Sequence, residues 1–140
     1  MALTNSINER WTDRDLGGVT QGVLTAEDTD ARTMSFQFYD RAGRDMQRMV
    51  SGIGYISSDP TGATLEAASS TLSVAAGTDG VVGSLSASNV AGLTIFKWTT
   101  EADGDLDITV TQTSGADLHY INLCLPNGDI FTSTVLTFAA

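Results

Sequence analysis

The run from Leu93 to Phe138 reads LTIFKWTT, LDITVTQT, LHYINLCL and IFTSTVLTF, separated by the breaks EADGD, SGAD and PNGD. Segments of this length, rich in Ile, Val, Thr, Phe and Trp and bounded by Gly, Asp, Asn and Pro, predict antiparallel strands. Leu106, Ile108 and Val110 share one face of the second segment, with Asp107, Thr109 and Thr111 on the other. In the third, Ile121, Leu123 and Leu125 lie opposite Tyr120, Asn122 and Cys124. Both faces are expected to be covered, as for a central strand. Pro126 ends it, and Asn127-Gly128 predicts a hairpin. On a strict two-residue period, Phe131 and Val135 then face one way and Ile130, Leu136 and Phe138 the other.

The same pattern extends upstream. Val19–Thr25 makes a first strand, and in Thr33–Tyr39 Met34, Phe36 and Phe38 form one face. Asp40–Gly43 is a turn, while Arg44–Val50 reads equally as a turn of helix or a strand entry. Val50–Ile56 is a strand in which Gly52 and Gly54 allow a bulge or the close approach of another backbone. Ser57–Gly62 is an exposed loop, and Ala63–Ser70 has no decisive pattern. Leu72 and Val74 alternate in a short strand, Thr78-Asp79-Gly80 turns the chain, and Val81–Ala87 returns. No helix of crossover length is present, so eight or so short strands favour two packed sheets over a parallel α/β fold. The 32 serines and threonines fit strands with one wet face.

A chain of 140 residues matches one domain, long enough to hold a core without staples. Its net charge is −10, from seventeen acidic and seven basic residues. Such a surface repels a phosphate backbone, so nucleic acid is not an expected partner. Cys124 is the only cysteine, which excludes an intrachain disulfide and a thiolate zinc site within one chain. It is expected to be a small buried hydrophobe. The start MALTNSINERWTDRD has neither a basic n-region nor an apolar h-region, and no apolar run has the length to cross a bilayer. Synthesis in the cytosol, without export by this route and without membrane insertion, is the expectation.

The search for chemistry yields little. His119 is the sole histidine, with no G-x-S-x-G elbow, P-loop, dinucleotide glycine pattern or H-E-x-x-H around it. Its ring is expected on the outer or intersheet face of its strand. Asp103, Asp105 and Asp107 offer hard oxygens of the kind calcium takes, but without EF-hand spacing, and exposed hairpin acids explain them equally well. Glu101 and Asp103 are a weaker carboxylate pair for glycoside hydrolysis. Trp98, Tyr120 and Tyr55 form a sugar-stacking platform only if Trp98 lies outside the core. No catalytic, cofactor-binding or metal-ligating residue is assigned. Residues 1–18 are polar around Trp11, and an isolated indole in such a segment is either packed on its own domain or an anchor for a neighbour. Ile7, Trp11 and Leu16 are therefore the expected partner-binding residues.

The succession FQFYDRAGRDM, GYISSDPTG, AAGTDGVV and TTEADGDLDITVTQTSGADLHYINLCLPNGDIFTSTVLTF resembles a group of small virion-associated proteins from the structural gene regions of tailed bacteriophages. The resemblance covers about Thr33 to Ala139. It rests on turns built around Gly43, Gly80, Gly104 and Gly128, so it carries over scaffold and no binding or catalytic residue. It implies an all-β fold, an antiparallel immunoglobulin-like β-sandwich over residues 19–140, preceded by an extended N-terminal arm at 1–18. It implies a non-enzymatic structural protein without a cofactor, on the capsid surface as a decoration or head-surface protein. Its partners would be coat or other virion proteins, and it would be a homo-oligomer, a trimer by analogy. A tail or neck component, and a carbohydrate-binding or host-adhesion module, are the alternatives.

Overall fold

The computed structural model describes residues 16–26, 30–66, 71–84 and 94–138. Ten strands lie within them: β1 (Leu16–Ala26), β2 (Ala31–Asp40), β3 (Ser51–Ser57), β4 (Leu72–Ala76), β5 (Val81–Ser84), β6 (Ile95–Thr99), β7 (Asp105–Gln112), β8 (Asp117–Cys124), β9 (Ile130–Thr132) and β10 (Leu136–Phe138). They form two antiparallel sheets packed face to face. The first has the order β1-β2-β7-β4, the second β10-β8-β3-β6-β5, and β9 also pairs with β8. Strand β1 begins at Leu16, three residues before the expected Val19. Arg44–Val50 is neither helix nor strand. It crosses between the sheets, pinned by Met46 N–H to Phe38 O (2.9 Å) and by the buried side chains of Met46 and Val50.

Period-two alternation decides which side chains meet between the sheets. The first sheet contributes Met34, Phe36, Phe38, Leu106, Ile108 and Val110, all at most 2% exposed. The second contributes Ile56, Phe96, Trp98, Ile121, Leu123, Leu136 and Phe138. Phe38 and Trp98 pack with ring centroids 5.0 Å apart. Gly52 and Gly54 of β3 lie directly opposite Trp98 and Phe96 of β6. A Cβ at Gly54 would fall 2.5 Å from the Phe96 ring, and one at Gly52 2.5 Å from Cys124 O and 2.7 Å from the Trp98 ring. These glycines make room for two aromatic rings as well as for a backbone, and β3 carries no bulge where they stand.

One turn is used three times. Asp40 N–H donates to Arg44 O, Glu101 N–H to Asp105 O and Leu125 N–H to Asp129 O, each at 2.8 Å. In each loop the glycine N–H donates back to the first residue's carbonyl at 3.0 Å: Gly43 to Asp40, Gly104 to Glu101 and Gly128 to Leu125. This is a three-residue loop whose last member sits in the left-handed region, at φ of 81°, 85° and 94°, a geometry that glycine adopts without the steric cost of a Cβ. Asn127-Gly128 thus closes the expected hairpin, in a loop one residue longer than the shortest Asn-Gly turn.

The closing segment departs from strict alternation. Thr132 pairs with Asn122 and Leu136 with His119, so four steps along the last segment match three along β8. The extra residue is a bulge. Ser133 fits it into the ladder: its N–H donates to Ile121 O at 2.8 Å and its Oγ accepts from Ile121 N–H at 2.9 Å. The bulge shifts the side-chain phase by one, so Phe131 packs on the core together with Leu136 and Phe138, while Ile130 and Val135 are exposed. Gln21 of β1 then clamps the bulge from the other sheet, its Nε2 donating to Thr134 Oγ1 (2.7 Å) and its Oε1 accepting from Thr134 N–H (2.8 Å).

Candidate functional site

Of the three expected partner contacts, Ile7 and Trp11 lie outside the described residues. Leu16 does not project toward a neighbour. It opens β1, pairs with Asp40, and is 2% exposed within the protein's own core. Its burial follows from strand phase, because the bulge at Gly17 turns both Leu16 and Val19 inward.

The acids of the EADGD turn do not converge. Asp105 and Asp107 alternate outward along β7, which sets them about 7 Å apart along the strand, and Asp103 sits in the turn below them. Asp79, Asp105 and Asp107 border a shallow groove of about 290 Å³ on the outer face of the first sheet, beside Ser35 and Gln37. Partial burial and then the neighbouring charges of Asp103, Asp79, Asp45 and Asp107 push the Asp105 carboxyl above its ordinary value. Lost solvation first, and like charge second, both disfavour the ionised carboxylate here.

His119 follows the phase of Ile121 and Leu123 and points between the sheets, 1% exposed. It closes the end of the sandwich against Gln112, the last residue of β7, whose Oε1 is 2.9 Å from His119 Nε2. On the other side of the ring Glu66 Oε2 stands 3.3 Å from Nδ1, while Asp117 Oδ2 lies on the Gln112 side, 3.8 Å from Nε2. Glu66 is brought there because its N–H donates to Ile56 O at 2.9 Å after the chain crosses the end of the sandwich. Phe138 covers the ring at 5.6 Å, with the Arg32 guanidinium over the far ring. Among the described residues, Glu66, Asp117 and His119 are the one group of three potential metal donors within reach of each other. Among the described residues, the polar groups that the structure sets against the imidazole are one amide and two carboxylates. Glu66 and Gln112 carry no mark in the sequence, and of the two faces left open for His119 the structure takes the intersheet one.

No family model and no curated protein matches the sequence. Solved structures resemble the fold. An adhesin, InvE, from Yersinia pseudotuberculosis aligns over 90% of this chain at 11% identity with a TM-score of 0.49, and the chain spans 32% of that adhesin. The archaellum periplasmic stator protein FlaG from Sulfolobus acidocaldarius aligns over 85% of this chain and 98% of its own at 12% identity and a TM-score of 0.42. The GAE domain of GGA2p from Saccharomyces cerevisiae covers 91% of both chains at 10% identity and a TM-score of 0.31.

The outer faces of the two sheets differ in character. Trp98 is fully buried, so it forms no sugar platform with Tyr55 and Tyr120. What the second sheet does present is a row set by register: Lys97, Ile53, Cys124 and Ile130 stand side by side across β6, β3, β8 and β9. Ile53 is 47% and Ile130 57% exposed, and Val81 on β5 is 64% exposed. Cys124 is half-buried between the two isoleucines rather than fully enclosed, and desolvation raises its thiol above the usual range, which keeps it protonated at neutral pH. Toward the other end, the 58–66 crossing covers the same face. There Asn122, fully buried, donates to Ser57 Oγ (2.8 Å) and accepts from Thr132 Oγ1 (2.7 Å). The strand that holds Ile53 was legible in the sequence; the residue's place beside Ile130 depends on strand order, which was not.

Proposed function

We propose that this chain is a non-enzymatic structural protein of a tailed-phage virion, a decoration or head-surface protein held on coat subunits through the outer face of its second sheet. The observation that carries the reading is the Ile53–Cys124–Ile130 row, a contiguous apolar strip on a protein of net charge −10. Single exposed aliphatics need no explanation, but a row joined across paired strands marks an interaction surface. Repeated contacts across a symmetric lattice turn modest single-site affinity into firm attachment. Ile7 and Trp11 are the further anchors under this reading, and Leu16 is not one. The acidic outer face of the first sheet would then point away from the particle, where like charge opposes association between particles.

The sandwich is, in this reading, an immunoglobulin-like variant. In it β1, β2, β7 and β4 would take the places of strands A, B, E and D, and β3, β8 and β9–β10 those of C, F and G, an assignment that the strand order of the two sheets supports. The departure is that β5 and β6, which occupy the extra-strand positions beside C, come after β4 in the chain instead of before it. The test uses purified particles with the protein stripped and added back. Ile53→Lys with Ile130→Lys keeps the fold, since both side chains are about half exposed, and is expected to abolish rebinding. Deletion of residues 1–15, which leaves Leu16 in place, is expected to reduce it. Full copy number in both would overturn the proposal, and a copy number matching one ring would move the protein to a neck or tail.

A further inference from the structure

At the end of the sandwich the chain places an imidazole where strand phase would take another aliphatic residue. Gln112 Nε2 donates to Ser114 O at 2.8 Å, which turns its Oε1 toward His119. His119 Nε2 therefore carries the proton and donates to that oxygen, and Nδ1 presents its lone pair. What Nδ1 faces is Glu66 Oε2, and both atoms are buried without a hydrogen-bond partner. Two lone-pair atoms held together around a ring that is 1% exposed call for a cation between them.

The separation points to which cation. A shared proton would draw an aligned nitrogen and carboxylate oxygen to about 2.7–2.9 Å, and here the two atoms stand 3.3 Å apart with no hydrogen bond between them. Two ligands about 2.0–2.1 Å from a tetrahedral zinc stand about 3.3–3.4 Å from each other. Asp117 supplies a third donor, since one ligand atom from each of Glu66, Asp117 and His119 lies within 4.8 Å of the others. Its Oδ1 accepts from Leu118 N–H at 2.8 Å and its Oδ2 lies 3.8 Å from Nε2, so this half-exposed carboxylate reaches the metal by turning Oδ2 from the Nε2 edge of the ring toward Nδ1. One imidazole and two carboxylates suit zinc or a related divalent transition metal and not calcium, which takes an all-oxygen shell of six to eight. We propose that Glu66, Asp117 and His119 form a divalent transition-metal site, with zinc the best fit, in which Gln112 fixes the ring and the metal ties the 58–66 crossing to β8. The role is structural and holds whatever the protein attaches to.

The experiment adds zinc chloride to the full-length chain after chelator treatment and follows binding by calorimetry and the His119 ring nitrogens by NMR. One zinc per chain is expected, with the Nδ1 resonance shifted and the Nε2 proton retained. Gln112→Ala should weaken binding about tenfold or somewhat more, as for residues that orient a metal-bound histidine. Glu66→Gln and Asp117→Asn, both at partly exposed carboxylates, should weaken it further while leaving the zinc-free thermal midpoint close to that of the parent chain. No binding at millimolar zinc, a protonated Nδ1 unaffected by the metal, or undiminished binding in the Glu66 and Asp117 variants would each overturn the proposal.

Discussion

Replacing Gly54 by alanine sets two effects against each other, and the structure decides their order. Alanine removes backbone freedom from the unfolded chain and suits a strand better than glycine, together a gain of about 0.5–1 kcal/mol. Against this, the new methyl would lie 2.5 and 2.6 Å from Cε2 and Cζ of Phe96 and 2.9 Å from Asn122 O. Phe96 is fully buried and cannot swing out, and Asn122 O belongs to the neighbouring strand of the same sheet. Overpacking of this kind costs about 1–3 kcal/mol, so Gly54→Ala should be destabilising by about 1–2 kcal/mol. Phe96→Leu removes the two ring atoms in question and leaves a void worth about 1–2 kcal/mol by itself. In the double variant the methyl occupies part of that void, and the losses should fall short of additive by about 1 kcal/mol. Urea denaturation with m-values measured for all four proteins gives the cycle. Additivity within about 0.5 kcal/mol, or a Gly54→Ala protein more stable than its parent, would show that these glycines are not there to seat the rings.

Leu16→Ala should cost about 2–4 kcal/mol in the same assay because the side chain is 2% exposed, whereas Leu24→Ala, at 37% exposed, should stay within about 0.5 kcal/mol; a negligible effect of Leu16→Ala would return that residue to the arm. Asp105 has a folded-state pKa raised by burial and by Asp103, Asp79, Asp45 and Asp107, so the folded protein holds that proton more tightly than the unfolded chain. Its contribution is favourable below the unfolded value near 3.8 and is lost as pH rises through the raised value. Asp105→Asn should therefore stabilise at neutral pH, by about 0.5 kcal/mol once solvent screening is allowed for, and the gain should vanish at pH 3; chemical denaturation at both pH values checks it, and a gain that persists in acid would refute the charge argument.

Local chemistry was legible where it was complete within a few residues. The three x-x-Gly loops needed only an acid or leucine, two turn residues and a glycine, and all three close as the spacing implies. Alternation placed Met34, Phe36 and Phe38 correctly, and likewise Leu106, Ile108 and Val110. The phase of the last segment failed at Ser133 because a serine hydroxyl there accepts from Ile121 N–H in place of a backbone carbonyl, and nothing in FTSTV marks that residue as extra. Leu16 was assigned to the arm because residues 1–18 read as one polar extension, ended by Gly17 and Gly18 ahead of a strand at Val19. In the structure the glycines stand in β1, where a Cβ at position 17 would collide with the Asp40 carbonyl. The Glu66–His119–Gln112 contact joins a crossing, a central strand and the end of the opposite sheet, so it existed in no stretch of sequence.

Edge management explains why association is expected through a face. Strands β4 and β5, at the edges next to β7 and β6, are only five and four residues long, too short to template another chain. The eleven-residue β1 is the long edge, and it is interrupted twice, at Gly17 and between Gln21 and Leu24, which twists its free hydrogen-bonding side out of register. The Gln21 amide then takes both the hydroxyl and the N–H of Thr134, binding β1 to the bulge that breaks the facing edge of β9 and β10. Strand addition is thus discouraged along the described edges, while the strip from Ile53 to Ile130 crosses β3 and β8, each paired on both sides, and ends on the three-residue edge strand β9. A partner meeting that strip gains from apolar burial alone, which follows shape and area and not register. Lys97, next to Ile53 in the same row, adds a cation at its rim, and an acidic residue on the partner there would set orientation more than affinity.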